Sequence, residues 1–554
     1  MHGSRDRDNR RLRTRPGGID ISRGNPKRDK GDPQSDGKYN QDSRNHRRGT
    51  YAIREQWLEG TKLEYDILLK LNPFRTVPLP QDAQVIPVMW TFVYKFDTDG
   101  FLIKFKARMC ARGDIQKMTL ADTYASTLAS KTFRALMAIA AVFGLVTKQW
   151  DVVNAFCQAT LDEVVYVQCP PGYSHPGHCL RLLKPLYGLR RSPLMWYQDL
   201  SVSLKGMGLV SLMEDMCVFS NEYLVVIFFV DDIIPIYHPS NHHKYEEFKH
   251  AFQSRYKMRD MGDLQWFLGI RVIRDVENRK LWLCQDSYVE KITHRFHLED
   301  RKIPSTPMST DMLEKYEGQA TTQEVNMYQQ KVGSLLYITT ITRPDAAKAA
   351  SKLSEFLLNP SPRHVEAVDR AISYLYGTRY LAIQYGPRCL QEAFTCSSDA
   401  AFGDNQDRRS SDGYLFSLFG GPIDWKAGKQ KTVTTSSTEA ELLGLSQTAK
   451  ETYWWKRLFN GLGLDLQQAV TIQCDNTQTI NLLTKNAPEL VTKLKHVDVH
   501  RHWLRQEVQN RNILLEWIPT SQMPADGLTK PLTQQNHSKF IRMLNLQDIK
   551  GRLT

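Results

Sequence analysis

The sequence predicts a multidomain protein of mixed α+β and α/β class, and three observations carry that expectation. The chain has 554 residues, which corresponds to about three or four domains. Its composition, 41% hydrophobic and 24% charged, is ordinary for globular proteins and sufficient for large cores. Hairpin signals recur through the first half, whereas from Ala393 strands give way to alternating helices and strands.

The elements follow in order. Residues 1–50 are rich in Arg, Lys and Asp, lack Glu and hold hardly any large apolar residue, so a basic, disordered segment is expected. It suits either a nucleic-acid-binding arm or a solubilising leader. TFVYKFDTDGFLIKFKARMCARG (91–113) places two β-rich runs around an Asp99-Gly100 turn. In its second strand Lys104, Lys106, Arg108 and Arg112 fall at even spacing, on one face. That face suits phosphate or, equally, plain solvent. An apolar helix follows over 130–146, and Asp151 ends the next short strand. KPLYGLRRSPLMWYQDL (184–200) is a Gly/Pro turn feeding an amphipathic helix. VVIFFVDDIIPIY (225–237) reads as two short strands around a tight turn, and 243–256 as a helix. Residues 298–325 are linker-like, and helices are expected to about 377.

The net charge of +13 points to a polyanionic partner, nucleic acid before an acidic membrane surface. No run of 18 apolar residues occurs, and the first residues lack a signal-peptide apolar core. Nine scattered cysteines without a CxxC pair argue for a reducing compartment. Cys169 and Cys179, with His175 and His178 between them, are better read as structural than as zinc ligands.

Asp151, Asp231 and Asp232 each sit at a strand end or turn in apolar surroundings. Asp favours turns for structural reasons alone. Buried like charges, however, raise one another's pKa, and a divalent cation removes that penalty. Two metals about 3.5–4 Å apart can activate a primer hydroxyl and stabilise departing pyrophosphate, which needs clustered carboxylates on rigid strands.

Eight blocks then appear in order over 80–345: FKARMCARGDIQ, WDVVNAFCQATL, VYVQCPPGY, LRLLKPLYGLRRSPLMWY, FFVDDII, MGDLQWFLGI, STPM and VGSLLYITTITRPD. Together they closely resemble the reverse transcriptase of copia-type long-terminal-repeat retrotransposons. The resemblance implies a right-hand polymerase with fingers, palm and thumb, acting as an RNA-directed DNA polymerase with Mg2+, two ions per active site, or Mn2+ in its place. It implies an RNA template, a DNA primer and deoxynucleoside triphosphates as partners, no membrane, and an intracellular location in a cytoplasmic particle, the nucleus or both. By position, Asp151 is the first metal ligand, Asp231 the second, and Asp232 supports metal or primer. Lys106 and Arg108 are implied to meet the triphosphate, Phe156 to exclude a ribonucleotide 2′-hydroxyl, Tyr187 to lie near the nucleotide and Gly188 beneath the templating pair. Phe156 has core packing as its alternative.

After residue 393 four carboxylates stand one per element: Asp399, Glu441, Asp475 and Asp526. This spread suits convergence on a two-metal nuclease site. Thr438-x-x-Glu441 and Ser436-x-x-Glu439 both match a helix capping box, so one Glu caps while the other serves the site. GYLFSLFGGPIDW, TTSSTEAE, CDN, KHVDVHRHW and ADGLTKP resemble the ribonuclease H domain of the same elements, which picks Glu441 over Glu439 and implies an RNA–DNA hybrid as substrate. His496 and His500 lie on one helix face without a third zinc ligand; the resemblance implies His496 and His502 at this place, read as substrate-proximal or packing residues.

The expected organisation is a basic segment 1–50, fingers and palm 51–297, thumb and connection 298–392, a ribonuclease H-like domain 393–535 and a tail 536–554. Two departures stand out. Phe229 replaces the usual Tyr before x-Asp-Asp, and Pro235 falls in the returning strand, where it lacks a donor for the ladder. No capsid, protease or integrase portion is recognisable, as in a truncated element, a polyprotein fragment or a decayed copy. The alternative function is therefore a catalytically decayed, nucleic-acid-binding remnant.

Overall fold

The computed structural model describes residues 41–96, 102–117, 123–387, 393–464, 470–484 and 495–553. The Asp99-Gly100 turn and residues 1–40 lie outside the described residues. The chain divides into two units: Met1–Ala125 with Asn154–Ser203, and Ser126–Val153 with Leu204–Thr554.

The first unit opens with the helix Gln41–Leu71. Residues 41–50, expected to be disordered, are its first turns. Low apolar content removes burial but does not stop an anchored helix from propagating. Trp57 anchors this helix: its ring lies 4.9, 4.9 and 4.8 Å from those of Phe92, Tyr94 and Phe105. Those three residues sit on the antiparallel pair Val88–Phe96 and Leu102–Ala111. Because strand side chains alternate, packing the Phe105 face leaves Lys104, Lys106 and Arg108 together on the other. A four-stranded sheet (Phe74–Pro78, His178–Leu182, Tyr166–Val167, Val85–Ile86) completes the unit. Leu68, Met109, Val167 and Leu180 meet in one core.

The second unit begins with a six-stranded antiparallel sheet in the order Met258–Asp263, Val146–Val152, Asp232–Tyr237, Leu224–Phe229, Val218–Ser220, Val210–Ser211. Trp150 is fully buried and packs on Tyr245, Phe248 and Phe252 of the helix His242–Arg255. The hairpin 224–237 keeps continuous register from Phe229↔Asp232 to Leu224↔Tyr237, with Val226 opposite Pro235. Counting from the pair that closes the loop, Val226↔Pro235 is a non-hydrogen-bonded pair. The missing donor therefore faces the neighbouring strand, where pairing jumps from Ile233↔Trp150 to Ile236↔Thr147. The proline interrupts that ladder and leaves the hairpin intact.

A second sheet runs Trp266–Phe267, Ile270–Asp275, Lys280–Cys284, Leu381–Tyr385, Leu546–Asp548. The helices Asp286–Phe296, Thr322–Ile341, Ala347–Leu353 and Pro362–Gly377 pack around Tyr328, Val332, Leu335 and Ile372. Residues 536–553, expected within a C-terminal tail 536–554, do not trail as a tail. The helix Gln534–Met543 buries His537 and Phe540, and Leu546–Asp548 pairs with Leu381–Tyr385. Three residues are too few to show a strand's alternation in sequence.

The last sheet has the order Gly421–Lys429, Ser411–Leu418, Phe394–Ala401, Val470–Cys474, Ile513–Trp517. Its first three strands are antiparallel and its last two join in parallel. With the helix Ser437–Gly461 packed on Phe394–Ala401, this is a ribonuclease H-like mixed α/β domain. Among the described residues no helix is long and apolar enough to cross a membrane.

Candidate active sites and family

Asp151 lies directly opposite Asp232 across the strand pair, with Arg259 opposite it on the other side. Asp231 is the second residue of the two-residue loop, and its carbonyl accepts a 2.9 Å hydrogen bond from the Val152 N–H. Val230, first in that loop, has φ +57°, a left-handed conformation that a β-branched residue adopts only under strain. Burial, then the charge of Asp231, pushes the Asp232 carboxyl up to about 6; Asp151 adds to this, and a 3.4 Å hydrogen bond from Gln149 Nε2 works against it. Arg259 Nη1 stands 4.0 Å from Asp151 Oδ2, at the limit of an ion pair. Gln149 and Arg259 escaped the sequence reading because only strand register reveals them.

The five nucleotide-binding candidates all fall in the first unit. Phe156 is buried and meets Tyr187 edge-on, with centroids 4.7 Å apart. The Arg108 guanidinium lies 5.1 Å from the Tyr187 ring. Lys106 shares the Arg108 face and is half-buried. Gly188 has φ +93°, and a Cβ there would lie 2.1 Å from the Ala111 carbonyl oxygen. A Cβ on Gly113 would likewise meet the Gly188 carbonyl oxygen at 2.1 Å, and Arg190 Nε holds the Gly113 carbonyl at 2.7 Å. Gly113 and Arg190 were missed, although both stand in the quoted blocks. Phe156, Tyr187 and Arg108 thus form one contact chain beside a glycine crossing only glycines permit.

In the second unit, Asp399 is almost fully buried; expected to end its strand, it lies two residues inside Phe394–Ala401. Its Oδ2 accepts from Thr529 Oγ1 and lies 3.7 Å from Lys530 Nζ, which also contacts Asp526 Oδ1. Burial pushes Asp399 up to about 6; Lys530 and Thr529 oppose that, while Asp526 and Asp475 add to it. Burial lowers the Lys530 pKa, but Asp399, Asp526 and Asp475 outweigh it and the net shift is upward. Glu441 is raised well above the carboxylate range by burial, then by Asp399 and Asp475. Asp475 Oδ2 accepts from Thr520 Oγ1 at 2.7 Å.

Glu439 is otherwise engaged. Its backbone N–H donates to Ser436 Oγ, and its carboxylate accepts from the Thr435 N–H and hydroxyl, each at 2.7 Å. Glu439 closes the helix start and leaves Glu441 to face Asp399 and Asp475. Glu441, Cys474 and Asp475 are the one group of three among the described residues whose ligand atoms all lie within 4.8 Å. Asp151, Asp231 and Asp232 are not drawn that close. Lys530 and Thr529, in the ADGLTKP block, escaped the sequence reading because their contacts with Asp399 join residues distant in sequence. His500 Nδ1 pairs with Ser446 Oγ at 2.8 Å, which fits packing; the His496 side chain lies outside the described residues.

Residues 71–310 match the family described as reverse transcriptase (RNA-dependent DNA polymerase). A transposon Ty5-1 protein of Saccharomyces cerevisiae is 30% identical over 310 residues, spanning 54% of this chain and 99% of that protein. The chain belongs to the reverse transcriptase family of copia-type transposon Pol polyproteins. The retrovirus-related Pol polyprotein from transposon TNT 1-94 of Nicotiana tabacum is 33% identical over 498 residues, 87% of this reverse transcriptase chain and 37% of that polyprotein. The corresponding polyprotein from transposon RE1 of Arabidopsis thaliana is 32% identical, over 88% of this chain and 33% of its own length. The chain therefore spans about a third of these polyproteins. A foamy viral protease-reverse transcriptase solved with double-stranded DNA aligns over 83% of this chain and 69% of its own, at 14% identity and a TM-score of 0.46.

Proposed function

We propose that this reverse transcriptase chain is an active RNA-directed DNA polymerase with a linked ribonuclease acting on RNA–DNA hybrids. The observation that carries the polymerase reading is the pairing of Asp151 with Asp232 across adjacent strands, beside a strained loop that holds Asp231. Both sites suit a hard cation: their donors are carboxylate oxygens, and Asp232, Asp399 and Glu441 are raised first by burial and then by neighbouring carboxylates, a penalty that a bound cation relieves. Mg2+, or Mn2+ in its place, two ions per site, would activate the primer 3′-hydroxyl at Asp151, Asp231 and Asp232 and the attacking water at Asp399, Glu441, Asp475 and Asp526.

Lys106 and Arg108 bind the phosphates of the deoxynucleoside triphosphate. Tyr187 supports the nucleotide, Gly188 lets the backbone approach the templating pair, and Phe156 bars a 2′-hydroxyl. The RNA template, DNA primer and hybrid are the remaining partners, and residues 393–535 form the ribonuclease domain.

Primer extension on an RNA template with Mg2+ tests the polymerase. Extension by the wild type no greater than by Asp231→Asn would sink it and leave the decayed-remnant reading. Cleavage of a hybrid unaffected by Asp475→Asn would remove the nuclease site.

A further inference from the structure

We infer that Lys530 is a built-in counter-ion of the ribonuclease site, held where a divalent ion shared by Asp399 and Asp526 would have to sit. The inference rests on the metal-dependent reading of that site and deepens it. Asp526 and Lys530 are four residues apart across the short helix Asp526–Thr529, and their side chains form an ion pair. The same ammonium reaches Asp399 Oδ2 at 3.7 Å. One cation therefore bridges two carboxylates that come from different elements, the strand Phe394–Ala401 and the short helix.

The bridge is asymmetric. Asp399 is fixed by burial and by the Thr529 hydroxyl, whereas the Lys530 side chain is 40% exposed and sits on a flexible stem. The lysine can swing into solvent while the carboxylates stay in place. Glu441 and Asp475 instead form a group with Cys474. The two halves of the site thus differ. A first divalent ion held by Asp399, Glu441 and Asp475 shares only Asp399 with the lysine's ion pairs. A second ion, between Asp399 and Asp526, enters only by expelling Lys530. The lysine keeps the buried Asp399 compensated before loading and makes the second ion the weaker one.

The test is Mn2+ binding to the full chain, followed by the loss of free-ion electron paramagnetic resonance signal, in an Asp231→Asn background that weakens the polymerase carboxylate cluster. Lys530→Met is expected to tighten the weaker Mn2+ by about tenfold, the scale of one competing unit charge at a partly exposed site. Lys530→Gln should do the same, and thermal unfolding without metal reports whether either variant is folded. Asp399→Asn should lose both ions. Unchanged isotherms for folded Lys530→Met and Lys530→Gln, with binding lost in Asp399→Asn, would overturn the counter-ion role and leave the metal site standing. Binding unchanged in Asp399→Asn would overturn the metal site, and the counter-ion role with it.

Discussion

The Arg134 guanidinium stacks on the Trp425 ring with its centre 4.1 Å from the ring centroid, joining the helix Ser130–Val142 to the strand Gly421–Lys429 of the ribonuclease-like sheet. The same group donates to the carbonyls of Ile423, Thr340 and Ile341 at 2.7 to 2.8 Å. Arg134→Ala orphans three acceptors at once and should cost about 2–4 kcal/mol. Urea unfolding is the measurement. A loss below 1 kcal/mol would mean that the contacts are not made in solution.

Glu439 and Glu441 should separate stability from chemistry. Glu439→Ala removes the acceptor of the Thr435 N–H and hydroxyl and is expected to cost about 1–2 kcal/mol while sparing hybrid cleavage at permissive temperature. Glu441→Gln relieves a buried, like-charge-raised carboxyl, so thermal stability should hold or rise while cleavage falls about a hundredfold or more. The reverse pattern would reassign the two residues.

Gly188→Ala forces a Cβ onto the Ala111 carbonyl at 2.1 Å in a left-handed backbone. It should destabilise the first unit by about 2 kcal/mol or more, and raise KM for deoxynucleotides more than it lowers kcat. Equal stability of Gly188→Ala and wild type would contradict the crossing.

Much of the site was legible because its residues sit in runs whose neighbours are apolar and whose spacing fixes a face. Asp231 and Asp232 between two strands, and Lys106 with Arg108 at even spacing, needed only alternation. Glu441 against Glu439 was harder: both fit a cap, and the structure separates them through Thr435, one residue before the helix cap. Lys530, Arg190 and Gly113 were not legible, since the contacts of Lys530 with Asp399, of Arg190 with Gly113 and of Gly113 with Gly188 join residues distant in sequence. Leu546–Asp548 was invisible for a different reason: its partner strand lies beyond the whole ribonuclease-like domain, and strand pairing leaves no local trace.

His537 gives a pH dependence. Its Nε2 lies 2.8 Å from the Tyr374 hydroxyl, which spends its one proton on Asp345 at 2.7 Å, so His537 donates as a neutral ring. Burial holds its pKa below the usual 6.5; Asp345 partly opposes this and Arg343 reinforces it. A histidine depressed on folding contributes stability above the unfolded pKa and loses it as pH falls through the folded one. Thermal unfolding from pH 8 to pH 5 should show that loss below about 6.5, and His537→Gln should flatten it. An equally steep decline in the variant would assign the effect to other histidines.

Pro235→Ile should return one rung to the ladder with Val146–Val152, worth about 1 kcal/mol, because only that side lacks a donor. With the hairpin register already continuous, primer extension should rise only a few-fold. A rise of a hundredfold would mark the proline as damage to the tip itself.

The strand Leu546–Asp548 has a consequence in time. It lies at the edge of the sheet that contains Ile270–Asp275 and Lys280–Cys284, yet it is synthesised after every strand of the ribonuclease-like domain. On the ribosome, the sheet next in sequence to the palm must wait, one edge open, until the nuclease portion has emerged. A nick or premature stop in the last twenty residues would therefore wound the polymerase half first, although it falls next to the nuclease in sequence.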